Sequence, residues 1–288
     1  MKELIITADD FGLSSGVNQA VIKAWREGIL TSASLMVGGD AFHEAVHLTK
    51  ENPGLQVGLH LTLVQGQAVG EHAGFPTICD REGFFSNDPV HAGMRYYFIR
   101  SFRRQLRAEI EAQILRFRQT GLPLSHIDGH LNIHMHPVVF DILCELMPQH
   151  GITTFRLCRE DLRDNLAHDP WRRVGKTVDA LIFRKLATRC RQALDRLGIG
   201  YPREVKGLLN SGRMTEGYLL KVLETLGEGA TEVYFHPGCL PCAEITRRMP
   251  DYRHEEELAA LTSPRVREAI VSLGIRLRNY RGEEKRHA

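Results

Sequence analysis

Apolar, β-branched runs alternate along this chain with stretches in which apolar residues recur at helical spacing. Residues 4–7 read as a strand. A helix then opens near Ser14 or Ser15, whose hydroxyls suit an N-cap, and runs to about Glu27. A strand over 32–37 and a helix over 42–50 come next, the helix stopped by Asn52-Pro53-Gly54. Residues 56–63 supply a third strand. Residues 64–95, with scattered Gly, Pro and His, predict a long excursion. Residues 102–119 form a strongly charged helical pattern closed by Gly121 and Pro123. Strand-like 124–127 leads into a histidine-rich turn, and Pro137 suits the first position of another helix. Further strands are predicted over 153–157, 205–209, 232–235 and 275–279, with helical patterns at 171–197, 215–227 and 255–273.

Seven or eight strands alternating with helices imply an α/β fold with a mainly parallel sheet. An open doubly wound sheet and a closed (β/α) barrel both satisfy that alternation. No internal repeat or low-complexity linker divides the 288 residues, so one barrel-like domain over 1–288 is expected.

Composition narrows the function classes. A hydrophobic content of 43% with 25% charged residues is that of a soluble globular protein, which sets disordered and membrane-spanning classes aside. The formal net charge is +2, so nucleic acid is not an expected partner. No apolar run approaches the roughly 20 residues that span a bilayer. Met1 leads into the first strand without a secretory pattern, and the six cysteines are scattered. The expectation is reduced thiols in the cytoplasm. Only Cys239-Leu240-Pro241-Cys242 has a C-x-x-C spacing, and without a second pair it does not make a structural zinc site.

The ionisable residues fall at predicted strand ends. Asp9 and Asp10 sit just past the first strand and His60 near the end of the third. His126, Asp128, His130, His134 and His136 crowd the end of the fourth, and His236 follows an apolar strand directly. In parallel α/β folds the carboxyl ends of the strands share one face, where ligands bind. Adjacent carboxylates repel, and a divalent ion with neutral imidazoles around it removes that cost. One Asp and two His leave a coordination position open for a water of lowered pKa. The second carboxylate can then take a proton, and a histidine from the opposite side can protonate a leaving group. That set describes hydrolysis of an amide or ester. Taken singly, an Asp-Asp step is a solvated turn and a lone His a bonded core residue; the case rests on the whole set. Within 126–136, the turn after the strand makes His130 the better ligand and His134 the second, with His126 and His136 in supporting places.

The runs Thr7-Ala8-Asp9-Asp10-Phe11-Gly12, Val57-Gly58-Leu59-His60-Leu61-Thr62, His126-Ile127-Asp128-Gly129-His130 and His236-Pro237-Gly238 resemble the YdjC-like carbohydrate deacetylase family. The late stretch from Tyr252 to Thr262 continues the likeness, which spans nearly the whole chain. Within the family the chain is most similar to the hopanoid-associated HpnK branch, through Leu30–Met36, Arg95-Tyr96-Tyr97-Phe98 and Thr120–Leu124. The resemblance implies a distorted (β/α) barrel that removes an acetyl group from an N-acetylglucosamine-type amide, the sugar carried on a hopanoid lipid. It implies Asp10, His60 and His130 as metal ligands, Asp9 as general base and His236 as general acid. The loop reads His130-Leu131-Asn132-Ile133-His134, where many relatives carry a denser histidine run, so auxiliary histidine roles are not carried over. The ligand set suits zinc, with magnesium, manganese, cobalt and nickel as other occupants.

Two other readings keep the same residues: a soluble chito-oligosaccharide or N-acetyl-sugar deacetylase, and a non-catalytic metal-binding barrel in which Asp9 is dispensable. Residues 171–206 hold ten Lys or Arg against three Asp or Glu, with apolar residues at helical spacing. They read as an outer helix with a basic face, or as an amphipathic element touching an anionic membrane at its inner surface. Tyr96, Tyr97, Phe98 and Phe102 read as core, or as a platform for sugar or lipid near the active rim. Oligomeric state leaves no trace in the sequence.

Overall fold

The computed structural model describes residues 1–70 and 78–285. Seven parallel strands form the sheet: β1 (Lys2–Phe11), β2 (Ser32–Leu35), β3 (Gln56–Leu61), β4 (Leu124–Gly129), β5 (Glu204–Lys206), β6 (Gly229–Phe235) and β7 (Arg276–Leu277). Their order is β4-β3-β2-β1-β6-β5, with β7 paired to the start of β1. Beyond β4 the sheet continues through single parallel bridges, Ile127 to Phe155 and Thr154 to Gly200, and the latter segment runs into β5. The ring is thereby drawn round into a distorted (β/α) barrel.

Eleven helices are described: α1 (Ser15–Glu27), α2 (Phe42–Glu51), α3 (Pro89–Phe98), α4 (Phe102–Gln119), α5 (Pro137–Gln149), α6 (Leu162–His168), α7 (Arg173–Leu197), α8 (Glu216–Glu224), α9 (Ala243–Arg248), α10 (His254–Thr262) and α11 (Pro264–Ser272). Ser14 caps α1 as expected, its side chain accepting from Val17 N. Three differences from the sequence expectation have local causes. The excursion after β3 contains α3, opened by the Asp88 carboxylate and Pro89. The 255–273 pattern is two helices, because Ser263 caps a new one whose first residue is Pro264. Residues 153–157 make only bridges rather than a full strand. None of the described helices is long and apolar enough to cross a membrane.

Strand residues alternate between two environments. Leu4, Ile6 and Ala8, Val57, Leu59 and Leu61, and Val233 and Phe235 join the hydrocarbon core beneath the helices. Each such side chain contributes roughly 1.5–3 kcal/mol when fully buried. The opposite parity is polar: Thr7, Asp9, Ser34, His60, His126, Asp128 and Glu232 are all buried and bond to one another or to Arg156. The barrel axis is therefore occupied by a hydrogen-bonded ionic network, where many barrels place branched hydrocarbon layers.

Gly58 shows how tightly that interior is fitted. A Cβ there would lie 2.4 Å from Cε1 and Nδ1 of His126. The ring cannot swing aside: Ser125 and Ser34 hydroxyls hold its two nitrogens at 2.8 and 3.1 Å, and Tyr280 stacks on it at 3.8 Å. Gly58→Ala is expected to cost about 1–3 kcal/mol, read as a lower urea midpoint at unchanged m-value. An unchanged midpoint would show that the ring relaxes freely.

Candidate metal and catalytic centre

Asp9 and Asp10 lie inside β1 rather than past it, where the sequence expectation had placed them. In a regular strand, consecutive side chains point to opposite faces, so only one of the pair could reach the barrel interior. The pairing of β1 with β2 shifts register between Ala8 and Phe11, and Asp10 adopts φ 62°. This bulge turns both carboxylates toward the site, and aspartate is among the few residues that accept the left-handed conformation.

His60 enters from β3, paired in register with Asp128 on β4. Its Nδ1 lies 2.9 Å from Asp128 Oδ1, which leaves Nε2 directed at Asp10 Oδ1, 3.3 Å away. A carboxylate behind a histidine fixes its tautomer and orientation, as it does behind metal-bound imidazoles. His130 follows β4 at the start of a 3-10 turn over His130–Met135, and its Nδ1 lies 2.8 Å from the same Asp10 oxygen. One ligand atom from each of Asp10, His60 and His130 lies within 4.8 Å of the others. All three side chains are buried, and Asp10 Oδ2 has no hydrogen-bond partner. Two imidazoles, a carboxylate and an unsatisfied buried oxygen fit a divalent cation. Asp9, His60 and Asp128 also approach one another this closely. Asp9 and Asp128 are both committed to Arg156, so the Asp10 set is the better ligand group.

The charges at the centre interlock. Burial alone would raise the Asp10 carboxyl, but His130 and His60 outweigh it and hold the value well below the usual range. Burial alone would lower His60; Asp128, Asp9 and Asp10 reverse that and lift it to about 10. Without a metal, these carboxylates favour a proton on His60.

Arg156 is the residue that sequence reasoning missed. It is fully buried, with Nη1 2.7 Å and Nη2 2.8 Å from the two oxygens of Asp9. The same guanidinium bonds Asp128 at 2.8 Å and Glu232 at 2.8 Å, and packs over the Tyr234 ring at 4.6 Å. A lone Arg in the middle of an apolar segment, like the Glu at 232, was the available signal. Glu232 is bonded in turn by the Thr7 hydroxyl at 2.7 Å and by Tyr280.

His236 directly follows β6. Its backbone N–H donates to Glu257 Oε2 at 2.5 Å and its carbonyl bonds His254 Nδ1 at 2.7 Å, so α10 fixes the loop. Tyr252 meets its ring edge-on at 5.0 Å. Burial pulls His236 down to about 4, against the pull of Asp10 and Asp9, and its Nδ1 has no partner. Burial also lifts Glu257 to about 7, against the two backbone donors from Met214 and His236.

Asp9, His130 and His236 line one cavity of about 210 Å³, together with Leu131, Asn132, Ser211, Tyr234 and Tyr252. The other histidines of residues 126–136 are held by bonds away from this group. His134, the second ligand candidate, bonds the Arg156 carbonyl through Nε2 at 2.9 Å and is not among the residues that converge with Asp10. His136 bonds the Gly93 carbonyl, and His126 is held by two serines. Cys239 and Cys242 are both free thiols. The aromatic group divides: Tyr96 and Phe102 are core, whereas Tyr97 and Phe98 are exposed.

The YdjC-like protein family matches this chain over residues 3–272. A carbohydrate deacetylase of Geobacillus stearothermophilus is 29% identical over 279 residues, covering 96% of each chain. One from Vibrio parahaemolyticus is 28% identical over 283 residues, covering 96% of this chain and 95% of the relative. A Brevibacillus brevis carbohydrate deacetylase is 40% identical over 150 residues, which span 52% of this chain and 57% of that relative. A solved Enterococcus faecalis protein, provisionally described as a cellobiose-phosphate cleavage protein, has the same fold. Its TM-score is 0.73 at 24% identity, with 97% and 98% of the two chains covered.

Proposed function

The chain belongs to the YdjC-like family, and from that premise we propose that it is a metal-dependent hydrolase that deacetylates an N-acetylglucosamine-type amide. The observation that carries this reading is the convergence of Asp10, His60 and His130 beside a cavity lined by Asp9 and His236. Relatives named carbohydrate deacetylase support the choice of bond.

In this reading Asp10, His60 and His130 hold a divalent ion, with zinc favoured over magnesium, manganese, cobalt or nickel. When bound, the ion supplies Lewis acidity and lowers the pKa of adjacent water. Asp9 is the general base. Each of its oxygens bonds Arg156 and still has a lone pair for a proton, and the bidentate pair fixes the direction in which that proton is taken. Water adds to the acetyl carbon as Asp9 takes one of its protons. His236, neutral at rest, gains basicity as negative charge grows on the acetyl oxygen. It takes up a proton passed on from Asp9 or solvent and delivers it to the amine as the C–N bond breaks, leaving acetate. Asp128 holds the His60 tautomer, and Glu257 holds the His236 loop.

For the molecule carrying the amide we propose a hopanoid glycolipid, on the likeness of residues 30–36, 95–98 and 120–124 to that branch. A cleft of about 630 Å³ shares Phe183 and Leu208 with the catalytic cavity and gives room for an extended substrate. Mass spectrometry of purified protein with an N-acetylglucosaminyl lipid and, separately, a chito-oligosaccharide tests both levels. Loss of an acetyl group, abolished by chelator, is expected with the lipid. Turnover of the oligosaccharide alone would replace the lipid by a soluble sugar, and chelator-resistant turnover would remove the metal.

Asp128, Asp9 and Asp10 raise His60 to about 10, so loading the site is expected to displace a proton from it. Calorimetry in buffers of different ionisation enthalpy is expected to show about one proton released per ion at neutral pH, with affinity tightening as pH rises. Proton-neutral binding would mean that His60 is already neutral in the metal-free chain.

A further inference from the structure

We propose that α3 and α7 together form a docking face for an anionic lipid bilayer beside the catalytic opening. Ordinary surface helices bury their apolar stripe and expose their polar one. These two expose apolar residues on the side opposite their buried one. On α3, Val90 is 74%, Met94 55%, Tyr97 56% and Phe98 67% exposed, while Ala92 and Tyr96 are buried. On α7, Val174 is 80%, Val178 51%, Leu181 60% and Ile182 51% exposed, while Lys176, Ala187, Cys190 and Leu194 are buried. Among the described residues, only two other large apolar side chains, Met1 and Val271, are more than half exposed. Eight of the ten such side chains among the described residues lie on these two helices, which random scatter does not explain.

The two helices meet the same end of α5. Gly93 of α3 accepts a bond from His136 at 3.0 Å, and Arg189 of α7 bonds the carbonyl of the adjacent Pro137. The 3-10 turn that presents His130 runs into this point, and its Leu131 is 42% exposed and lines the catalytic cavity. The two helices therefore meet the chain beside the turn whose Leu131 lines the catalytic cavity.

Charge selects the occupant. Residues 95–104 carry four arginines and no acid, and along α7 Arg173, Arg184, Lys185, Arg189, Arg191 and Arg196 are exposed against the acids Asp179 and Asp195, with Arg103 and Arg189 paired to Glu145 and Asp141. Apolar side chains bordered by guanidinium groups suit the headgroup boundary of an anionic membrane. A second copy is a poor occupant, because a two-fold interface sets the same cationic patch against itself. The surface goes beyond the deacetylase reading and stands or falls independently of it.

Flotation of the full chain with phosphatidylcholine vesicles, with and without phosphatidylglycerol, tests the proposal. Binding is expected to the anionic vesicles, to weaken with salt, and to fall about tenfold or more in Val174→Asp/Val178→Asp and in Val90→Asp/Phe98→Asp. Thermal melting and the circular dichroism spectrum should be unchanged in both variants, which separates loss of docking from loss of fold. The proposal is overturned by absence of flotation with anionic vesicles at low salt, or by equal flotation of both variants. It is also overturned if the wild-type chain dimerises in sedimentation and the same substitutions abolish the dimer.

Discussion

Asp9→Asn is expected to lower turnover about 10²–10⁴-fold while the bound metal remains stoichiometric. The amide keeps the size of the carboxylate and still offers one oxygen to Arg156, but it cannot accept a proton from water at neutral pH. The ligands Asp10, His60 and His130 do not include Asp9, so metal content measured by elemental analysis should hold. Full turnover in the variant would take the base role from Asp9. Loss of metal along with turnover would instead point to the alternative cluster of Asp9, His60 and Asp128. A barrel that binds metal without catalysis predicts no effect at all, so this one variant separates three descriptions of the site.

Arg156→Met is expected to carry the largest stability penalty of any single change in the barrel, about 3–5 kcal/mol. The methionine would fill much of the volume, yet Asp9, Asp128 and Glu232 would be left facing one another in a buried space. Against a total stability of roughly 5–15 kcal/mol, such a loss brings the chain close to unfolding. Urea denaturation measures it directly. Arg156→Lys should recover only part, because one ammonium cannot reproduce a planar fork that reaches three carboxylates. Near-native stability in the methionine variant would mean that the carboxylates take up protons without cost and that the guanidinium is not their necessary counter-ion.

These two variants also mark where sequence reading succeeded and where it stopped. Asp9, Asp10, His60, His130 and His236 were legible because each stands at or near the carboxyl end of a strand, and parallel strands share that end. The local geometry was not legible. Asp10 reaches the metal group only through a bulge with a left-handed residue, and nothing in Ala8-Asp9-Asp10-Phe11 specifies it without the neighbouring strand. The partners of the site were harder still. Asp9 is balanced by an arginine 147 residues away, and Arg156 in turn by a glutamate 76 residues further on. Such pairings follow from barrel closure, which hydrophobic period does not encode. Asp128 read as part of a turn, whereas the register of β3 against β4 makes it the support of His60. The helix α3 could have been found from Asp88-Pro89, a capping acid followed by a residue suited to a first turn.

The strand that carries Asp9 and Asp10 has another consequence, which concerns synthesis. Thr7 of β1 bonds Glu232 of β6, 225 residues later, and β7 near the far end of the described chain also pairs with β1. At about 5–20 residues per second, a ribosome needs roughly ten to forty-five seconds between making the first strand and making its β6 neighbour. During that interval Leu4, Ile5 and Ile6 lack one of their lateral partners. β1 is thus completed only once β6 has been made, and it stays short of a lateral partner, and open to wrong pairing, throughout that interval. Yield in a foreign host should therefore respond to translation speed and to chaperone supply more than to the stability of the finished barrel.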